Sequence, residues 1–171
     1  MKNIVLIGFM GSGKSVISMA LAKKIKRKIL DTDAIVEANT GMRIKRLFGM
    51  YGEVYFRKQE VAAAAAAAEE TGVIIATGGG IVTKHENVEA LKKTGAIIYL
   101  KNSFEVSVKR LKGKDDRPLF DYKNLEATKA LYKKRQALYK AAANLVIITD
   151  KKNVTQVVNE IIQKGGKKGW L

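Results

Sequence analysis

Residues 4–17, IVLIGFMGSGKSVI, constrain the fold more than any other stretch of the chain. The apolar run Ile4-Val5-Leu6-Ile7 leads into Gly8, and Gly8 to Ser15 matches the pattern G-x-x-x-x-G-K-[ST]. That chemistry needs a strand that ends, a glycine-rich turn whose backbone N–H groups face inward, and a helix whose positive end meets phosphate. All three occur here in that order. Gly11, Ser12, Gly13, Lys14, Ser15 and Val16 are therefore candidate phosphate-side residues, with Lys14 carrying the charge. The alternative is a glycine-rich turn ahead of an ordinary helix.

Along the chain, the apolar segments 29–30, 73–76, 96–100 and 145–148 join the first run as strand candidates, and each alternates with a helical pattern. The expectation is an α/β fold with a five-stranded parallel sheet covered on both faces and ligands outside the carboxyl ends of the strands. Asp31-Thr32-Asp33 follows the second strand candidate, which is expected beside the first, and Thr77-Gly78-Gly79-Gly80 follows the third. The two carboxylates suit a metal ion and an acceptor hydroxyl, or else form a turn or helix cap. The glycine triplet suits a loop that approaches a ligand, or else a plain turn.

Between those strands, helices are expected over 42–50 and 54–70, broken at Tyr51-Gly52. Ala62 to Ala68 is an unbroken alanine run with two readings, close helix packing or indifferent positions filled with alanine. The second is the expectation, and with it a loosely held insertion. Ser103 is expected to cap a helix over 103–112, and the polar segment 113–119 to form an exposed flap. Residues 165–171 read as a disordered or loosely docked tail.

The chain has 171 residues, the size of one domain. It holds no apolar run of about eighteen residues and no signal-like start, so a cytoplasmic protein without membrane contact is expected. There is no cysteine, and His85, set among polar neighbours, reads as a surface residue. The net charge is +16, but the lysines are dispersed without aromatic interleaving, which argues against a specific nucleic-acid partner. Only seven arginines occur, and their retention against so much lysine points to work that needs a planar fork.

The chain resembles the shikimate kinase family of the phosphate-loop kinases. The resemblance runs from Lys2 to Gln163 and rests on the phosphate loop, Leu30-Asp31-Thr32-Asp33, Gly52-Glu53 with Phe56-Arg57, Thr77 to Gly80, Arg117-Pro118-Leu119, and Lys134-Arg135 with Leu138-Tyr139. It implies a monomeric enzyme that moves the γ-phosphate of ATP to the 3-hydroxyl of shikimate with Mg2+. It also implies one domain over 1–164, with a substrate-binding insertion at about 33–61 and a lid at about 112–124. Carried over by motif, Ser15 and Asp31 would hold the metal, and Asp33 would meet the acceptor hydroxyls. Arg57 and Arg135, with Gly78, Gly79 and Gly80, would hold the shikimate carboxylate and ring. Arg117 would meet the transferring phosphate, while Arg110 and Lys152 would lie on the nucleotide side. Glu60, three residues after Arg57, is spaced to orient it. Val16 departs from the family, which usually has threonine there, and the alanine run and lysine excess are also unusual for it. The competing readings are a catalytically impaired basic module that binds nucleotide or nucleic acid, and another small-molecule kinase of this fold such as gluconate kinase.

Overall fold

The computed structural model describes residues 1–112 and 119–171. The flap expected over 113–119, including Arg117, falls almost wholly outside them. Strands β1 (Asn3–Ile7), β2 (Ile29–Asp31), β3 (Ile74–Ala76), β4 (Gly95–Lys101) and β5 (Leu145–Ile148) form one parallel sheet in the order β2-β3-β1-β4-β5. β1 is central and wholly buried because every one of its side chains meets a covering layer. β2 does not lie beside β1, as the sequence suggested. β3 comes between them and β2 is the edge. The three residues of β3 are all buried whereas those of β2 are half-buried, so the more apolar strand takes the inner place.

The pleat divides the core in two. Ile4 and Leu6 join Ile74, Ile98 and Ile147 under α1 (Lys14–Ile25) and α7 (Val154–Lys167). Val5 and Ile7 face the opposite layer, which includes Ile75, Ile97, Tyr99 and residues of α3 (Ile44–Glu69), α4 (His85–Thr94) and α6 (Leu125–Ala142). α2 (Thr32–Thr40) and both halves of α3 build a third, small cluster around Val36, Leu47, Phe56 and Ala63. α5 (Phe104–Leu111) is capped by the Ser103 hydroxyl as expected. His85 is exposed at the start of α4. Gly52, with φ 74 and ψ 178, breaks α3 at the expected place.

Two expectations fail. In the alanine run, Ala63, Ala64, Ala67 and Ala68 are buried while Ala65 and Ala66 are exposed. The buried methyl groups let α3 approach α4 and the sheet closely, so these positions are not indifferent. The chain end is not a loose tail either. α7 continues to Lys167, Trp170 is only 9% exposed within the α1/α7 layer, and Arg27 donates from Nη2 to the Trp170 carbonyl at 3.1 Å. The apolar area of one indole outweighs the flexibility of the neighbouring glycines.

Ala67→Leu is expected to destabilise the protein by about 1–3 kcal/mol through overpacking, and Ala66→Leu by less than about 0.5 kcal/mol. Equal effects in urea unfolding would restore the reading of indifferent positions. Trp170→Ala is expected to cost about 3 kcal/mol in the same measurement.

Candidate active site

β1 ends at Ile7, and the loop that follows turns back with Gly11 at φ 78 and Gly13 at φ 94. Gly13 is the N-cap of α1, with no side-chain cap and no acidic residue in the first turn. The first N–H groups of this helix therefore keep their capacity and positive field for an anion. Lys14 folds over the loop, its Nζ donating to the carbonyls of Gly8 at 2.7 Å and Phe9 at 3.1 Å. Ser12 is buried beneath the loop, and the Val16 side chain is exposed at the edge of the cleft, without the hydroxyl of a threonine.

A cleft of about 1050 Å³ runs from this loop to the carboxyl ends of β2 and β3. It is lined by Ser15 and Asp31 and by Asp33, Arg57 and Arg135. Asp31 Oδ1 accepts the N–H groups of Asp33 at 2.9 Å and Ala34 at 3.3 Å, so Asp31 caps α2 as well as lining the cleft. Its other oxygen has no hydrogen-bond partner among the described residues. No group of three or more His, Cys, Asp or Glu among the described residues is placed to hold a metal. Asp31 with the Ser15 hydroxyl is a donor set that suits Mg2+ completed by phosphate and water.

The far end of the cleft is built on the glycine turn. Gly78 donates its N–H to Thr32 Oγ at 3.0 Å, which ties the turn to the Asp31-Thr32-Asp33 segment. At Gly80 an added Cβ would fall 2.1 Å from Arg57 Nη1 and 2.3 Å from its Cζ, so the guanidinium lies flat on bare backbone. At Gly78 it would fall 2.5 Å from Asp33 Oδ1 and 3.0 Å from Glu60 Oε1, where two carboxylates converge.

Arg57 is 7% exposed and held on both edges. Glu53 accepts from Nε at 3.1 Å and Nη2 at 2.9 Å, and Glu60 accepts from Nη1 at 2.7 Å. Burial alone would lower the Arg57 pKa, but Glu60 and then Glu53 outweigh it and raise the pKa. Glu60 is fully buried, and its pKa is raised by that burial against the pull of Arg57, with Asp33 adding to the rise. Arg135 differs. It is 3% exposed, its Nε is buried without a hydrogen-bond partner, and its pKa is lowered by burial, with the nearby Arg57 charge adding to the effect. Of the two buried guanidinium groups, Arg57 is offset by Glu53 and Glu60, whereas Arg135 has no carboxylate bonded to it among the described residues, which suits it to an incoming carboxylate.

On the nucleotide side, Arg110 bridges the loop after β1 to the loop after β5, donating to the Gly11 carbonyl at 3.2 Å and the Thr149 carbonyl at 3.3 Å. Lys152 lines the same end but is paired with Glu160 at 2.6 Å, a contact across eight residues that sequence spacing did not reveal. Gly79 lines the cleft with its neighbours. Sequence reasoning gave no role to Glu53, Thr32 or Tyr139. The spacings Glu53–Arg57 and Arg135–Tyr139, each one helical turn, were the available signal.

The shikimate kinase family model matches residues 10–165. The shikimate kinase of Sulfurihydrogenibium sp. (strain YO3AOP1) is 40% identical over 164 residues, covering 96% of this chain and 98% of the relative. That of Pelotomaculum thermopropionicum is 41% identical over 163 residues, covering 95% and 94%. Among solved structures, shikimate kinase from Acinetobacter baumannii in complex with shikimate superposes with a TM-score of 0.94 at 32% identity, covering 98% of this chain and 94% of that one. A gluconokinase from Sinorhizobium meliloti 1021 matches with a TM-score of 0.67 at 17% identity, which speaks for the fold alone. With the phosphate loop and the buried arginines lining one cleft, and relatives of this similarity over almost the whole length, the chain belongs to the shikimate kinase family.

Proposed function

We propose that the protein transfers the γ-phosphoryl group of ATP to the 3-hydroxyl of shikimate, giving shikimate 3-phosphate and ADP, as a monomer in the cytoplasm. The observation that carries this reading is one cleft lined both by the phosphate loop and by Asp33, Arg57 and Arg135. No helix among the described residues is long and apolar enough to cross a membrane.

Phosphoryl transfer asks a protein for positioning and charge neutralisation more than covalent chemistry. The N–H groups of Gly11, Gly13 and Lys14 cradle the β- and γ-phosphates, Ser12 holds the loop in shape by donating its N–H to the Phe9 carbonyl at 3.1 Å, and the Lys14 ammonium moves from the loop carbonyls onto phosphate oxygen. Ser15 and Asp31 would hold Mg2+, which when bound would supply charge neutralisation for the phosphoryl transfer. Arg110, Val16 and Lys152 border the nucleotide. Arg57 and Arg135 grip the shikimate carboxylate, and Gly78, Gly79 and Gly80 let the ring lie against backbone. Asp33 accepts from the acceptor hydroxyls and takes the proton as that oxygen bonds to the γ-phosphorus and the bond to ADP breaks. Arg117, outside the described residues, is assigned to the transferring phosphate by motif alone. A gluconate-type acceptor would also bring a carboxylate, but the solved gluconokinase is 17% identical to this chain against 32% for the shikimate kinase solved with shikimate, which favours shikimate.

ADP release should depend on added shikimate and vanish in Lys14→Ala. Stimulation by gluconate or a nucleoside monophosphate, with none by shikimate, would overturn the acceptor assignment. Arg57→Lys should raise the shikimate KM by roughly 10- to 100-fold while leaving the ATP KM within about twofold, because one fork-shaped contact to a carboxylate is lost. Gly80→Ala should act the same way without touching any charge, since its methyl group occupies the place of the Arg57 guanidinium. An unchanged shikimate KM in a folded Gly80→Ala protein would remove Arg57 from the substrate site.

A further inference from the structure

Tyr139, whose hydroxyl meets the cleft-lining residue Gly79, has no task in the transfer, though it is wholly enclosed. It lies on α6 one turn after Arg135 and is 0% exposed. Its ring packs on Tyr99 of β4 with centroids 5.1 Å apart. Phenylalanine would fill that slot equally well, so packing accounts for the ring and not for the hydroxyl. The hydroxyl donates to the carbonyl of Gly79, sixty residues away, and the Arg135 guanidinium, one turn back on the same helix, is within its electrostatic reach. Burial raises the pKa of the phenol, so it stays protonated and keeps donating to Gly79 throughout the neutral range.

The two arginines are thus held in different ways. Arg57 is fixed by two carboxylates, Glu53 and Glu60, which also offset its charge. No carboxylate is bonded to Arg135 among the described residues, and its Nε has no partner. A neutral hydroxyl is the kind of group that can orient a guanidinium without cancelling its charge. The glycine turn serves as the common reference: Gly78 is tied to Thr32, Gly79 to Tyr139, and Gly80 lies beneath Arg57.

We propose that Tyr139 is a positioning residue for the carboxylate end of the acceptor site. Its hydroxyl, anchored on the Gly79 carbonyl, sets the Arg135 guanidinium in register with the glycine turn and leaves its charge available to the substrate. This role rests on the reading of the acceptor as shikimate held by Arg135.

The test compares Tyr139→Phe, Arg135→Lys and the double variant with the unaltered enzyme. Two acceptors are used, shikimate and its analogue with the carboxylate reduced to a primary alcohol. Tyr139→Phe is expected to raise the shikimate KM roughly tenfold, with kcat and the ATP KM within about twofold. The alcohol analogue should be used equally well by Tyr139→Phe and the unaltered enzyme, because no carboxylate reports the misplaced arginine. The double variant should be no worse on shikimate than Arg135→Lys, within about twofold, since both changes disable one contact. A purely structural hydroxyl would instead lower the unfolding midpoint and leave the shikimate KM unchanged, or weaken both acceptors alike, and either result overturns the proposal. If Arg135→Lys raises the shikimate KM and Tyr139→Phe does not, only the positioning role fails. If Arg135→Lys itself has no effect, the acceptor reading fails and the proposal falls with it.

Discussion

Burying ionised groups at the carboxyl end of a parallel sheet is the constraint on which the rest of this structure depends. Arg57, Glu60 and Arg135 are all nearly or wholly removed from solvent. Each ion loses several kcal/mol of hydration, and their mutual attraction does not reliably return it. The stability that tolerates them comes from elsewhere, from the two apolar layers that enclose β1 on both faces. Glu53 and Glu60 offset the charge of Arg57, while Arg135 has no carboxylate bonded to it among the described residues, so its buried charge is unfavourable by itself and favourable beside an anion. The same imbalance that costs stability therefore supplies affinity.

The features most legible in the sequence were those fixed by local chemistry. The phosphate loop, the Ser103 cap and the break at Gly52 each depend on a few adjacent residues, and Glu60 reaches Arg57 across a single turn. Strand order was less legible, because β2 and β3 differ in rank only by how much of each is apolar, and the intervening helices allow either arrangement. The alanine run hid its pattern for a related reason. Seven identical letters cannot show that positions 63, 64, 67 and 68 face inward, a helical stripe that any mixed sequence would have displayed. At the chain end, glycine and lysine suggested disorder, and the signal to the contrary was one tryptophan.

The scarcity of arginine was informative, and more broadly than the substrate site required. Arg27 uses two nitrogens to join the Lys2 carbonyl to that of Trp170, fastening the chain end to its beginning. Arg110 spans two loops in a similar way. In both cases a planar group with several fixed donors links backbone segments that a single flexible ammonium would not hold in one geometry. Lysines, by contrast, are mostly dispersed over the surface, where their charge serves solubility.

The break at Gly52 makes α3 two rods joined at one residue. The first rod carries Ile44 and Phe48, which form a wall of the cleft, and the second carries Arg57. Phe48 and Phe56 touch across the joint with ring centroids 4.8 Å apart. Because the helical ladder is interrupted there, the first rod takes a direction of its own along the cleft while Leu47, Phe56 and Ala63 keep the two rods in one apolar cluster, so a single glycine lets one continuous stretch of chain serve two walls of the same cavity.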